Sequence, residues 1–151
     1  MMKLIRANKI MMTRYSSSLN ASDVTLPRHL LSILESGLIE KDGCVFLCAL
    51  LANCATIKQS YFPDMTGYEC FVNHEHIDGV KLRKAIEIGV TFLARISIIC
   101  RSFGVHGDIR GILSVDDKDV TVRFHLLRHE EAWLSDDIDG YEEDGVAEFE
   151  L

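Results

Sequence analysis

Catalytic signatures are what this chain lacks. It holds no Gly-x-Ser-x-Gly elbow, no His-Glu-x-x-His pair and no Cys-x-x-Cys pair, the usual marks of serine hydrolases, zinc peptidases and zinc ribbons. Gly104, Gly107 and Gly111 lead into a strand pattern rather than a helix, so no helix N-terminus is offered to a phosphate. Long apolar runs are missing too. The longest, Cys44 to Ala55, is interrupted by Asn53 and reaches about 12 residues, short of the roughly 20 that cross a bilayer. The first residues, Met1 to Met12, are basic, with apolar stretches too short for a secretory leader and no small-residue cleavage site. Met11 and Met12 offer an alternative start. A paired set of cysteines is likewise absent. The five, Cys44, Cys48, Cys54, Cys70 and Cys100, are odd in number and lie in apolar sequence. They read as buried thiols of a reducing, cytoplasmic compartment rather than a disulfide framework.

The last absence is the most informative. From Glu130 to Glu150 there is no Lys or Arg, while ten residues are acidic. A solvating tail would also lack apolar anchors, yet Trp133, Leu134, Ile138, Tyr141, Val146 and Phe149 are interleaved with the carboxylates. That pattern predicts an ordered, strongly negative surface, suited to a basic partner. The net charge of −7 argues against non-specific nucleic-acid binding, which needs Lys and Arg to displace phosphate counterions.

At 151 residues, 48% apolar and 26% charged, the chain is expected to form one globular domain. Residues 1–25, with Ser16-Ser17-Ser18 and Asn20-Ala21-Ser22-Asp23, read as a loosely ordered segment ahead of a single domain over 26–151. Pro27 opens a helix that carries Leu30, Leu31, Ile33 and Leu34 and ends at Gly37. Cys44 to Lys58 reads as a buried helix or strand, with helix favoured by length and by Ala, Leu and Cys. Tyr68 to Ile77 reads as a strand. Val80 to Phe103 is an amphipathic helix of about 36 Å, stopped by Gly104. Ile109 to Val115 and Val120 to Leu127 form a hairpin around Asp116-Asp117-Lys118-Asp119. Val146 to Leu151 is a last short strand at the sheet edge. The class is α+β: an antiparallel sheet of three to four strands, with the long helix and the N-terminal helices packed on one side.

Chemistry-bearing groups are scattered. His74 and His76 share a strand face, and His125 and His129 lie four apart; without a recognisable ligand spacing they read as hydrogen-bonded histidines, and no metal or cofactor is expected. Trp133, flanked by Glu130, Glu131, Asp136 and Asp137, is either a cap on the core beneath the hairpin or an interface anchor inside a polar rim.

The run from Tyr68 to Ile77 with its following long helix, the run from Val120 to Leu134, then Asp136-Asp137 and Gly140-Tyr141-Glu142-Glu143, resemble small bacterial immunity proteins of contact-dependent growth inhibition systems, over residues 68–151. The resemblance implies a cytoplasmic, non-enzymatic protein that binds and blocks a cognate toxin domain. Many such toxins are nucleases with basic clefts. The contact is expected on Asp116, Asp117 and Asp119 of the hairpin turn and on Glu130, Glu131, Trp133, Asp136, Asp137, Asp139 and Tyr141. Two rival readings stand beside it: a small enzyme using His74, His76 and Glu75 or Asp78, with or without a metal, and a structural or adaptor module dimerising through the long helix. Monomer and homodimer both remain open.

Overall fold

The computed structural model describes residues 1–20 and 23–151; Ala21 and Ser22, part of the expected polar turn, lie outside them. Strand β1 (Lys3–Ala7) and helix α1 (Lys9–Leu19) are followed by α2 (Arg28–Glu35) and the hairpin β2 (Leu38–Lys41) and β3 (Cys44–Leu47). Then come α3 (Cys48–Asn53), α4 (Met65–Val72), β4 (His74–Ile77), α5 (Leu82–Phe103), β5 (Ile109–Val115), β6 (Val120–Leu126) and β7 (Gly145–Glu150). Five strands form one antiparallel sheet in the order β1-β7-β5-β6-β4, and β2-β3 stand apart as a second sheet. The class is α+β as expected, with five strands in the main sheet rather than three to four.

The long helix is where its periodicity places it. Its core side carries Ile86, Phe92, Leu93 and Ile96, all essentially buried, and Gly104 closes it with a left-handed φ of 77° that glycine adopts without strain. Gly89 lies directly against sheet side chains. A Cβ there would stand 2.9–3.2 Å from side-chain atoms of Leu113, Val122 and Ile77, so Gly89→Ala is expected to cost about 1–3 kcal/mol by overpacking, read as a lower urea midpoint at unchanged slope. Helices α1 and α2 pack against α5, and the hairpin β5-β6 forms over the residues its alternation marks.

Four parts of the fold depart from the local reading. Of the segment expected to be loose, Lys3–Ala7 is a strand and Lys9–Leu19 a helix. Lys3–Ala7 pairs with β7, and Asn8 caps α1 by accepting from the Met11 amide at 3.0 Å. The ordering comes from a partner strand more than a hundred residues away, which no local pattern reports. Because β1 covers it, β7 is an interior strand, not an edge. Cys44–Lys58 is not one helix. Asp42 and Gly43 both have positive φ, 53° and 79°, and form the two-residue turn of a hairpin. The following four residues are strand, apolar because they are buried on both faces, and a six-residue helix succeeds them. Finally, Tyr68 to Val72 is helical. Asp64 accepts from the Gly67 amide at 2.7 Å and starts α4; only His74–Ile77 is strand.

Candidate docking face

The sheet has two unlike faces. Alternation along β4, β5, β6 and β7 turns Ile77, Leu113, Val122 and Phe149 toward α5, in the main core. The opposite face is charged. Register sets Arg6, Glu148, Ile112, Arg123 and His74 in one row across the five strands. Glu150, Arg110 and His125 form the row on one side, and Val146, Ser114, Thr121 and His76 the row on the other. Arg6 Nε donates to Glu148 at 2.6 Å, and Arg110 lies 3.9 Å from Glu148 and 3.6 Å from Glu150.

The acidic stretch crosses this second face. After β6 the chain turns at His129-Glu130, where Glu130 takes a φ of 66°. Trp133 then lies over Arg123, with its ring centroid 4.7 Å from the guanidinium carbon, a cation–π stack. Farther on, Arg6 Nη1 donates to the carbonyls of Ser135 and Asp136 at 3.3 and 3.0 Å. Asn8 Nδ2 donates to the carbonyls of Ile138 and Asp144 at 3.3 and 2.7 Å, and the Ser135 amide donates to the Tyr141 hydroxyl at 3.0 Å. Ile138, Ile112 and Val146 are buried outside the main core. The stretch is therefore anchored at β6, β1 and α1.

The residues expected to make contact fall into two groups. Asp116, Asp117, Glu130, Asp136, Asp137 and Asp139 are exposed, and Trp133 is 40% exposed. Trp133 neither caps the main core nor hangs free. Asp116 organises the hairpin turn by accepting from the amides of Lys118 and Asp119, which hold its carboxyl below the usual range. Asp139 accepts from the Lys9 amide at 2.8 Å, and Tyr141 is half-buried. Two members are occupied within the fold. Asp119 pairs with His76 Nδ1 at 2.7 Å, and Glu131 accepts from the Thr66 amide at 3.1 Å while lying 3.9 Å from Arg128.

Behind the stretch sits a buried ionic knot that sequence reasoning missed. Glu69 of α4 is fully buried and accepts from the amides of Val45 at 2.7 Å and Leu126 at 3.2 Å, and from Arg128. Arg128 also donates to Gly43 O at 2.9 Å and to Thr66 Oγ1 at 3.2 Å. Burial works against the Arg128 charge, but its hydrogen bond to Glu69 and the negative charges of Glu69 and Glu131 beside it together outweigh that and push the guanidinium up. The signal available in the sequence was Asp64, whose capping role places residue 69 in a helix.

Thiol and imidazole chemistry is muted by the surroundings. Burial, reinforced by Glu69, pushes the Cys44 thiol up to about 11, and burial takes Cys100 to about 12; both stay protonated at neutral pH, and a thiolate nucleophile is not available from them. His74 and His76 lie on the second face, with ring centroids 5.4 Å apart, whereas Glu75 points to the other side of the strand. Among the described residues no group of three His, Cys, Asp or Glu side chains is arranged to hold a metal ion, and no helix is long and apolar enough to cross a membrane.

His125 carries a pH consequence. It is 4% exposed, its Nδ1 lies 2.7 Å from the Leu126 carbonyl, and burial lowers its pKa below the ordinary value. A depressed histidine binds its proton more weakly in the folded state, so its effect on stability is level above the unfolded value of about 6.5 and turns destabilising as pH falls below it. The stability difference between the wild type and His125→Gln should therefore shift against the wild type from pH 7 to pH 5, with a slope no steeper than about 1.4 kcal/mol per pH unit. Parallel urea midpoints at the two pH values check it; a difference independent of pH would refute the buried neutral ring.

Neither a curated protein nor a solved structure matches this chain. A family model does, over residues 6–150, which takes in every strand and helix from the middle of β1 to the end of β7. The chain belongs to the Uncharacterized protein PM0498 family.

Proposed function

We propose that this protein is a binding inhibitor: a cytoplasmic immunity protein that docks its acidic face on a cognate toxin domain, most simply a basic nuclease, and blocks it. One observation carries the reading. The acidic stretch is held rigidly on the body, yet Glu130, Asp136, Asp137, Asp139, Glu142, Glu143 and Asp144 form no ion pair among the described residues. Carboxylates fixed in place and left without cations self-repel, a cost that a docking protein recovers when a basic partner arrives. Supporting it are the raised thiols, the separation of Glu75 from the two histidines, and the resemblance over residues 68–151. The nucleic-acid cleft of such a toxin is the surface most complementary to this charge.

The face then supplies association rate more than affinity. Asp136→Lys combined with Asp137→Lys should slow association with a cognate basic nuclease toxin domain by about tenfold at low salt and flatten its salt dependence. Stopped-flow measurements at several ionic strengths read this out. An unchanged association rate would show that the partner docks elsewhere.

A further inference from the structure

The acidic face explains steering but contains few groups able to hold a partner once it has arrived. Affinity at an interface concentrates in exposed rings and arginines that become dry at the centre, inside a polar rim. Among the described residues, such a place lies at the β4 edge of the second face. Phe71 packs against Phe62 with ring centroids 5.3 Å apart and against His74 at 5.7 Å; His74 meets His76 edge-on at 5.4 Å. The row continues inward, because His74 is the register partner of Arg123, on which Trp133 stacks.

These rings are not core. Phe71 is 38% exposed and Trp133 40%, and the His76 side chain is 53% exposed. They are nonetheless rigid. His74 Nδ1 contacts the Phe71 carbonyl, His76 is held by Asp119, and Trp133 is fixed by the guanidinium beneath it. Preorganised rings lose little conformational entropy on binding, which is what makes exposed aromatic side chains effective anchors. The rim is mostly acidic: Asp116, Asp117 and Asp119 outnumber Lys118 at the hairpin turn beside His76, Asp64 follows Phe62 by two residues, and Glu130 stands three residues before Trp133.

We propose that the row Phe71, His74 and His76, with Trp133 at its inner end, is the anchoring centre of the docking face, and that it takes an apolar side chain protruding from a basic protein surface. The assignment rests on the inhibitor reading for the existence of the partner, and adds where affinity resides. Charge complementarity selects the occupant. A second copy of this chain would bring an identical acidic rim against its own, whereas a knob ringed by Lys and Arg meets rings at the centre and carboxylates around them.

The test separates the two layers. The full chain is first sedimented alone, then measured for association and dissociation against a cognate basic nuclease toxin domain, as wild type and as Phe71→Ala, His76→Ala and Ile98→Ala. Ile98, 57% exposed on α5, is an apolar control away from the row. Phe71→Ala is expected to speed dissociation by about tenfold or more while leaving the association rate and its salt dependence intact; His76→Ala should act in the same direction, and Ile98→Ala should do neither. Circular dichroism and urea midpoints confirm that the variants are folded, and His76→Ala keeps the test decisive if Phe71→Ala is not. Unchanged dissociation in both row variants, with wild-type binding intact, overturns the anchor and leaves the inhibitor reading standing. Absence of any wild-type binding overturns both. A dimer dissolved by Phe71→Ala would assign the row to a second copy and overturn the proposal.

Discussion

Glu69→Ala is expected to destabilise the protein by about 3–5 kcal/mol, the cost of leaving one member of a buried ion pair behind. The carboxylate accepts from three donors on separate elements: the Val45 amide of β3, the Leu126 amide at the end of β6, and Arg128 just beyond it. Truncation strands a guanidinium that is itself only 14% exposed and leaves two amides without a partner, each costing about 1–3 kcal/mol if water cannot reach it. The pair is not a net source of stability, since burying both charges is itself expensive; burial in fact pulls the Glu69 carboxyl upward against the three donors. What the pair supplies is position, fixing α4, the β2-β3 hairpin and the root of the acidic stretch to one another. Glu69→Gln keeps one carbonyl acceptor and should lose less than the alanine variant, though Arg128 is then left with only the more distant Glu131, at 3.9 Å, as an anionic neighbour. Urea unfolding of the two variants checks the order. A loss below about 1 kcal/mol for Glu69→Ala would mean that water enters the knot and the pair is not truly buried.

The knot also shows why part of this molecule was readable from its residues and part was not. Helix α5 could be placed over Val80 to Phe103, within two residues of its observed start at Leu82, because its apolar residues recur with the helical period along a single face, and the β5-β6 hairpin because the turn and the two alternating flanks are contiguous. Those signals are local. Strand β1 is ordered through Leu4 opposite Phe149 and Ala7 opposite Ala147, contacts between the two ends of the chain, and its own five residues hold no alternation strong enough to announce it. Helix α4 failed for a different reason. It is buried nearly all round, with Thr66, Tyr68, Glu69, Cys70 and Val72 inaccessible, and a helix without a polar face has no period to read. The alternation of Tyr68, Cys70 and Val72 then imitated a strand.

The candidate site divides along the same line. Its acidic rim was legible because charge is a property of the residues themselves: Asp136, Asp137 and Asp139 are negative whatever the fold. The ring row was not. Phe71 comes from a helix end, His74 and His76 from β4, and Trp133 from the crossing stretch; only the pairing of β4 with β6 sets them side by side. Asp119 and Glu131 illustrate the converse. Both were placed on the surface by their charge, and both are engaged by the fold, one by His76 and the other by the Thr66 amide.

Asn8 offers the sharpest separation of stability from surface order, and its substitutions carry the second large effect. The side chain is buried at 1% exposure and makes four hydrogen bonds: Oδ1 accepts from the Met11 and Val146 amides, both at 3.0 Å, and Nδ2 donates to the Ile138 and Asp144 carbonyls. It thus caps α1, ends the β1-β7 pairing and clamps the acidic stretch at once. Asn8→Ala should cost about 2–4 kcal/mol, from a lost cap worth about 1 kcal/mol and buried polar groups left unpaired at about 1–3 kcal/mol. Asn8→Asp keeps the acceptor, and with it the cap, but replaces the donor by an oxygen that faces two carbonyls. Helix α1 should survive in that variant while amide exchange accelerates across residues 138–144, and association with a basic partner should lose its steep salt dependence as the carboxylates are no longer held in register. Hydrogen exchange followed residue by residue distinguishes the outcomes. If Asn8→Asp left protection across 138–144 unchanged, the rigidity of the acidic face would have to come from Arg6 and the buried Ile138 instead, and the electrostatic argument for docking would rest on those two residues.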